Sequence, residues 1–271
     1  MKIQLQFIRY APLAILLAEV ACGSIETEFQ KCRKDGLCGE VLKVGLVSGE
    51  FPDSPNHPAW QSEAFSTTTQ LEPQLITNPQ WPNPAVKHVS VAALRSNSEI
   101  AIRLEWEDHS NELESSYSDN YIDKAAVMFP LKAEVPPITM GAEEHPVNIW
   151  QWKASLEKPL QKNLFPGNTP LSKQIAQDDK VNLDIKKSPV EDLNAEGFST
   201  LTFQDEQNTF GKGVWKKKKW RIMFKRSLTN SDPRDVQFKG STPMAIAIWN
   251  GANKERNGQK GLANWILLKF P

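Results

Sequence analysis

Two short stretches hold side chains whose type and placement suit chemistry. In residues 136–141 (PPITMG), Pro136 and Pro137 fix an extended approach, and Gly141 allows a tight turn close to a flat ligand. Met140 in that stretch offers a soft thioether, a donor suited to haem iron that generally raises its potential. In residues 244–260 (MAIAIWNGANKERNGQK), an apolar run leads into a loop crowded with Asn, Gly, Arg and Lys. That is the pattern of a rigid strand with a polar binding loop at its end. Gly258 there gives a tight turn that could aim Lys260 inward. Taken alone, a Met in a loop is most often packing or surface, and a Lys in a polar turn is most often solvated.

Patterns of other chemistries are missing. The sequence has no Gly-x-Ser-x-Gly, no Gly-rich phosphate loop and no His-Glu-x-x-His. The four His, at 57, 88, 109 and 145, share no ligand-like spacing. Hydrolysis is therefore the weaker reading. Covalent haem attachment is excluded by the absence of Cys-x-x-Cys-His. Lys and Arg together number 32, as do Asp and Glu, so no overall field attracts nucleic acid or anionic lipid. The tetralysine 216–219 reads as a solvated strand edge that blocks unwanted pairing. Nine Trp suit a cofactor cavity, although core packing is the commoner reason for such a count.

The elements that must position these loops are strands. Residues 87–95 (KHVSVAALR) and 99–107 (EIAIRLEWE) alternate apolar and polar positions around a Ser96-Asn97-Ser98 turn. Residues 124–131 read as a buried strand, 147–153 (VNIWQWK) and 220–227 alternate, and 244–249 and 265–270 complete the set. No long amphipathic helix appears. The expected fold is all-β, an antiparallel β-sandwich with long loops and a surface insertion. Residues 65–271 form that domain, with the polar insertion at about 155–200. Residues 24–64 read as an irregular leader broken by Pro52, Pro55 and Pro58.

Residues 1–23 read as a signal peptide, with Lys2 and Arg9 before a mostly apolar run. That run is too short to span a membrane, and no other stretch is long and apolar enough. Export to the periplasm or an equivalent compartment is expected, with lipidation of Cys22 the less favoured alternative. Cys32 and Cys38 then remain, either as a disulfide closing a small loop in an oxidising compartment or as two free thiols.

The two chemical stretches, with 146–153 (PVNIWQWK), 125–130 (AAVMFP) and 104–108 (LEWED), resemble the haem b (gamma) subunits of the type II dimethyl sulfoxide reductase family. That family includes ethylbenzene dehydrogenase, dimethyl sulfide dehydrogenase, selenate and chlorate reductases, and nitrite oxidoreductase. The resemblance covers roughly 65–154 and 213–270 and implies one non-covalent haem b with Met140 and Lys260 as axial ligands. It further implies that Trp249, Asn250, Arg256 and Trp150 contribute to the cofactor site. Lys binds iron only when neutral, which burial beside an apolar macrocycle favours. Met128 is the rival sulfur, expected in the core, and Lys254 and Lys239 are the rival amines. The implied role is non-catalytic electron transfer. The implied partners are a molybdopterin catalytic subunit, an iron–sulfur subunit and an external carrier such as cytochrome c. Two other classes compete: a carbohydrate- or other ligand-binding β-sandwich without haem, and a structural subunit that kept the fold and lost the haem.

Overall fold

The computed structural model describes residues 27, 29–34, 38–113, 121–157 and 188–271. The proposed signal peptide and Cys22 fall outside them, as does most of the expected insertion, including the strand-like residues 182–186. No helix among the described residues is long and apolar enough to cross a membrane.

Two sheets build the domain. The seven-stranded sheet runs in the order β1 (Cys38–Lys43), β13 (Gly261–Lys269), β12 (Thr242–Trp249), β6 (Lys124–Pro130), β7 (Val147–Lys153), β8 (Val190–Ala195) and β9 (Thr202–Phe203). The second sheet runs β10 (Phe210–Trp215), β11 (Lys219–Ser227), β5 (Glu99–Glu107), β4 (His88–Arg95) and β2 (Gly45–Leu46), with β3 (Ser66–Gln70) also paired to β4. The expected all-β sandwich is what forms. Its pairing is antiparallel except at β1–β13 and β2–β4, which are parallel.

The β4–β5 hairpin turns where expected. The Ser96 hydroxyl accepts from the Ser98 and Glu99 amides and closes the turn. The tetralysine is different from its expected role. It is a two-residue hairpin turn between β10 and β11, with Lys217 and Lys218 at φ of 54° and 58°. Both central residues in the left-handed region match the twist of the flanking strands. Three further strands lie where irregular or surface chain was expected. β1 and β2 fall inside the leader, and β8 falls inside the expected insertion, with Val190 and Leu193 buried. Cys32 and Cys38 are joined as a disulfide, with Cα atoms 5.2 Å apart.

Alternation along β6, β7 and β12 divides their side chains between two apolar layers. Ala125, Val127, Phe129, Trp150, Trp152, Ile246 and Ile248 face the second sheet and form the main core with Ile102, Leu104, Trp220 and Phe224. Ala126, Met128, Ile149, Ala245, Ala247 and Trp249 face the other way and pack with Phe29 and Trp265 in a second apolar layer. Period-two alternation permits this split, since neighbouring side chains on a strand point to opposite faces. Every residue of β12 is buried, on its outward face as well as its inward one.

The core also encloses an ion pair. Arg226 and Asp235 lie 2.9 Å apart with side chains 1% and 0% exposed. The guanidinium sits 5.0 Å from the Trp150 ring centroid and 5.8 Å from that of Phe238. Burial pushes the Arg226 pKa down, and Asp235 and Asp192 oppose that shift. Asp192 is itself pushed up to about 6 by burial, while the Thr209 hydroxyl and Asn148 amide donate to it and favour its charged form.

Candidate functional site

The outward face of the seven-stranded sheet forms the floor of a cavity of about 610 Å³, within the ~300–1,000 Å³ usual for cofactor and small-molecule sites. Strand register lays the floor out in rows. Trp249 pairs with Lys124, which pairs with Lys153. The next row holds Leu262, Ala247, Ala126 and Gln151, and the next Ala245, Met128, Ile149 and Leu193. Alanine at 126, 245 and 247 keeps the centre of the floor low. Larger side chains there would fill the space above the sheet.

Two groups of loops wall the cavity. At one end the chain carrying Met140 crosses from β6 to β7. Met140 lines the cavity and has a φ of 73°, unusual for a residue with a side chain. Its carbonyl accepts from the Gly197 amide at 2.9 Å. Gly141, at φ +83°, packs so tightly that a Cβ would lie 2.7 Å from the His145 carbonyl oxygen. Pro136 is held by its carbonyl, which accepts from the buried Trp265 indole at 3.0 Å. Backbone in a sparsely populated region persists only when its surroundings fix it, and such positions gather at ligand sites.

The loop after β12 forms the other wall. Glu255, fully buried, accepts from the Asn250 and Ala85 amides, the Trp81 indole and the Asn253 side chain. Asn250 donates to Asp108 at 3.0 Å and accepts from the Asn253 amide at 2.8 Å. Asp123 accepts from the amides of Gly251 and Glu112 and from the Trp220 indole. Burial, with Asp108 nearby, pushes its carboxyl up to about 7. Gly251 has no room for a Cβ, which would lie 2.5 Å from the Tyr121 carbonyl oxygen. The Trp249 indole donates to the Asn257 carbonyl at 3.1 Å, and Asn257 takes the left-handed conformation at φ 51°. This bracing ends at Lys260, whose ammonium lies 4.9 Å from the Trp249 ring centroid and lines the cavity. Part of the Lys260 side chain remains accessible, yet desolvation of its ammonium pushes the pKa down to about 8.

Met140 and Lys260, distant in sequence, thus come to one cavity, and Trp249 and Arg256 line it with them. Asn250 and Trp150 do not. Asn250 is consumed in holding its own loop, and Trp150 points into the core against Phe129 and Arg226. Trp150, expected at the cofactor site, lies on the core face of β7, since an alternating strand defines two faces without saying which lines a cavity. Met128, expected in the core, lies on the cavity floor and is 8% exposed. Lys254 and Lys239 are exposed and line no part of the cavity.

The sequence reading missed Lys124, Gln151 and Lys153 on the floor, and Gln74 at the wall. Gln74 is 3% exposed and joins two loops: its amide nitrogen donates to the carbonyls of Gly258, Thr77 and Pro79, and its oxygen accepts from the Ile76 and Thr77 amides. Gln74→Leu strands these backbone groups without partners. A loss of about 1–3 kcal/mol in stability is expected, the penalty for an unsatisfied buried polar group. Urea midpoints of the two proteins check it, and equal midpoints would show that water replaces the amide.

The profile of the family described as "Ethylbenzene dehydrogenase" matches residues 57–261. A protein described as a respiratory nitrate reductase heme subunit in Haloferax mediterranei is 25% identical over 235 residues, covering 85% of this chain and 73% of that one. The gamma subunit of chlorate reductase from Ideonella dechloratans is 24% identical over 235 residues, covering 85% and 84%. The gamma subunit of dimethylsulfide dehydrogenase from Rhodovulum sulfidophilum is 26% identical over 189 residues, covering 66% and 59%. A family 9 carbohydrate-binding module from Caldicellulosiruptor kristjanssonii, solved with glucose, overlays with a TM-score of 0.43 and 8% identity, covering 86% of this chain and 96% of that one.

Proposed function

The chain belongs to the ethylbenzene dehydrogenase family of haem (gamma) subunits, and from that premise we propose that it holds one non-covalent haem b and relays electrons. The relay runs between the iron–sulfur subunit of a molybdenum oxidoreductase outside the cytoplasm and an external carrier such as cytochrome c. The molybdopterin subunit performs the substrate chemistry, and this chain performs none. The signal-like leader and the Cys32–Cys38 disulfide support an oxidising compartment.

The observation that carries the proposal is the convergence of Met140 and Lys260, from opposite loops, on one cavity with a low alanine floor. The donor set fits haem: a thioether and an amine already biased toward its neutral form. A bound haem supplies reversible one-electron chemistry at iron. Met140 presents sulfur, which favours the reduced metal. Lys260 would hold the iron through its amine lone pair once its ammonium proton passed to the solvent. Trp249 holds the Lys260 arm against one wall, and the alanines at the centre of the floor would keep water from a ring seated above them.

The full chain, expressed with ample haem, should purify with the visible spectrum of a six-coordinate low-spin haem. Acid–acetone should extract the pigment into the organic phase. Protein that stays colourless, or pigment that remains with the polypeptide, overturns the proposal.

A further inference from the structure

Met140 is held by a segment remote in sequence, the turn between β8 and β9 at residues 196–201. The Gly197 amide donates to the Met140 carbonyl at 2.9 Å. Gly141 lies against the same segment, since a Cβ on it would stand 3.3 Å from the Ala195 carbonyl oxygen. One side chain fastens these peptides. The Thr200 hydroxyl accepts from the Glu196 amide at 2.8 Å and donates to the Gly197 carbonyl at 2.8 Å. Those two groups belong to the peptides on either side of the one whose N–H reaches Met140, so that peptide is restrained from both ends. The turn needs the restraint. Gly197 has a φ of 132°, a region open to glycine. Ser199 has a φ of 68°, a backbone position that persists only where its surroundings fix it. Phe198, Ser199 and Leu201 of the same turn line the cavity beside Met140.

We propose that Thr200 is a positioning residue for the sulfur donor: its hydroxyl locks the peptide that holds Met140, and so sets how firmly the thioether is presented to the iron. This inference rests on the haem reading above, with Met140 as a ligand. Thr200 is exposed and lines no part of the cavity, so it acts through the turn. A thioether is a soft, neutral donor. Its hold on iron grows as the chain has less freedom to lose in presenting it. The coupling is reciprocal, so an iron that holds Met140 also steadies the turn.

The test uses the full chain loaded with haem. Thr200→Val keeps the shape of the side chain and removes the hydroxyl, and Thr200→Ser keeps the hydroxyl. Imidazole, a small competitor for ferric iron, should displace the sulfur from Thr200→Val at about tenfold lower concentration than from wild type, the scale on which outer-shell partners act. The midpoint potential of Thr200→Val should fall, because a looser thioether favours the ferrous state less. Thr200→Ser should return both values toward wild type. A serine variant that behaves like the valine one overturns the proposal, since the hydroxyl is then not the cause. A turn with a merely structural role would shift the urea midpoint alone. Imidazole affinity and potential equal to wild type in Thr200→Val therefore overturn the proposal and leave the haem reading standing. If Met140→Ala keeps the wild-type potential, Met140 is no ligand and the proposal falls with that assignment. Wild-type protein that takes up no haem overturns the haem reading and the proposal together. A second measurement needs no change at Thr200. In the wild-type holoprotein, excess imidazole should speed hydrogen exchange at the Gly197 amide, because displaced sulfur no longer steadies the turn. Unchanged exchange there overturns the coupling.

Discussion

Replacing Lys260 with alanine is expected to turn a low-spin ferric haem high-spin and to weaken haem retention more than about a hundredfold, since losing even an outer-shell partner of a metal site commonly costs 10–100-fold. The expectation rests on the position of Lys260 at the end of a braced loop, with its ammonium in the cavity and its pKa lowered to about 8. Lys260→Arg should not restore the spectrum, because a guanidinium keeps its proton and offers iron no lone pair. Met140→Ala should lower the midpoint potential, because the thioether favours the ferrous state. Absorption, electron paramagnetic resonance and a redox titration of the variants check these effects. Met128 and Lys124, on the cavity floor, are the rival donors. If Met128→Ala or Lys124→Ala disturbs the low-spin spectrum while Met140→Ala and Lys260→Ala leave it intact, the ligand assignment is wrong.

A second large effect is expected away from the cavity. Asp235→Ala removes the carboxylate from a guanidinium that is 1% exposed and leaves a buried charge without its partner. The expected loss is about 3–5 kcal/mol, a large share of the ~5–15 kcal/mol that holds a typical domain together. Arg226 also donates to the Val236 carbonyl and lies beside Trp150 and Phe238, so the charge has no easy path to water. The double variant Arg226→Met/Asp235→Leu should recover much of the loss, since a well-packed apolar pair commonly matches a buried ion pair. Chemical denaturation of the single and double variants measures both. A single-variant loss below about 1 kcal/mol would mean that water reaches the guanidinium. The haem spectrum should be unchanged in any variant that folds, because the pair lies on the core side of the sheet.

What the sequence revealed of this arrangement follows from where partners lie. β4 and β5 were legible because each alternates cleanly and the turn between them closes on neighbours, Ser96 to Ser98 and Glu99. β8 was not. Its Glu191 and Asp192 look like surface residues, and they are buried only because Lys153, Thr209 and Asn148 come from elsewhere to meet them. β1 and β2 were hidden by parallel pairing to strands remote in sequence, which leaves no local turn to find. In the cavity, Gly, Pro and Asn marked the loops as unusual backbone, and the family resemblance singled out Met140 and Lys260 within them. Lys124 and Lys153 gave no such mark. A lysine at a strand end looks the same whether it faces open solvent or a cavity.

The alternation along β6 and β12 sets the terms on which this protein could change over evolutionary time. On β6, residues 124, 126 and 128 line the cavity and 125, 127 and 129 belong to the core. On β12, the cavity-facing side chains are at 245, 247 and 249, and the core-facing ones at 244, 246 and 248. Fold and cavity are thus written on interleaved letters of the same strands. A lineage that exchanged its cargo would rewrite one parity of positions and keep the other. A bulkier residue at Ala247 would take space from the cavity and leave the core-facing side chains of the same strand in place.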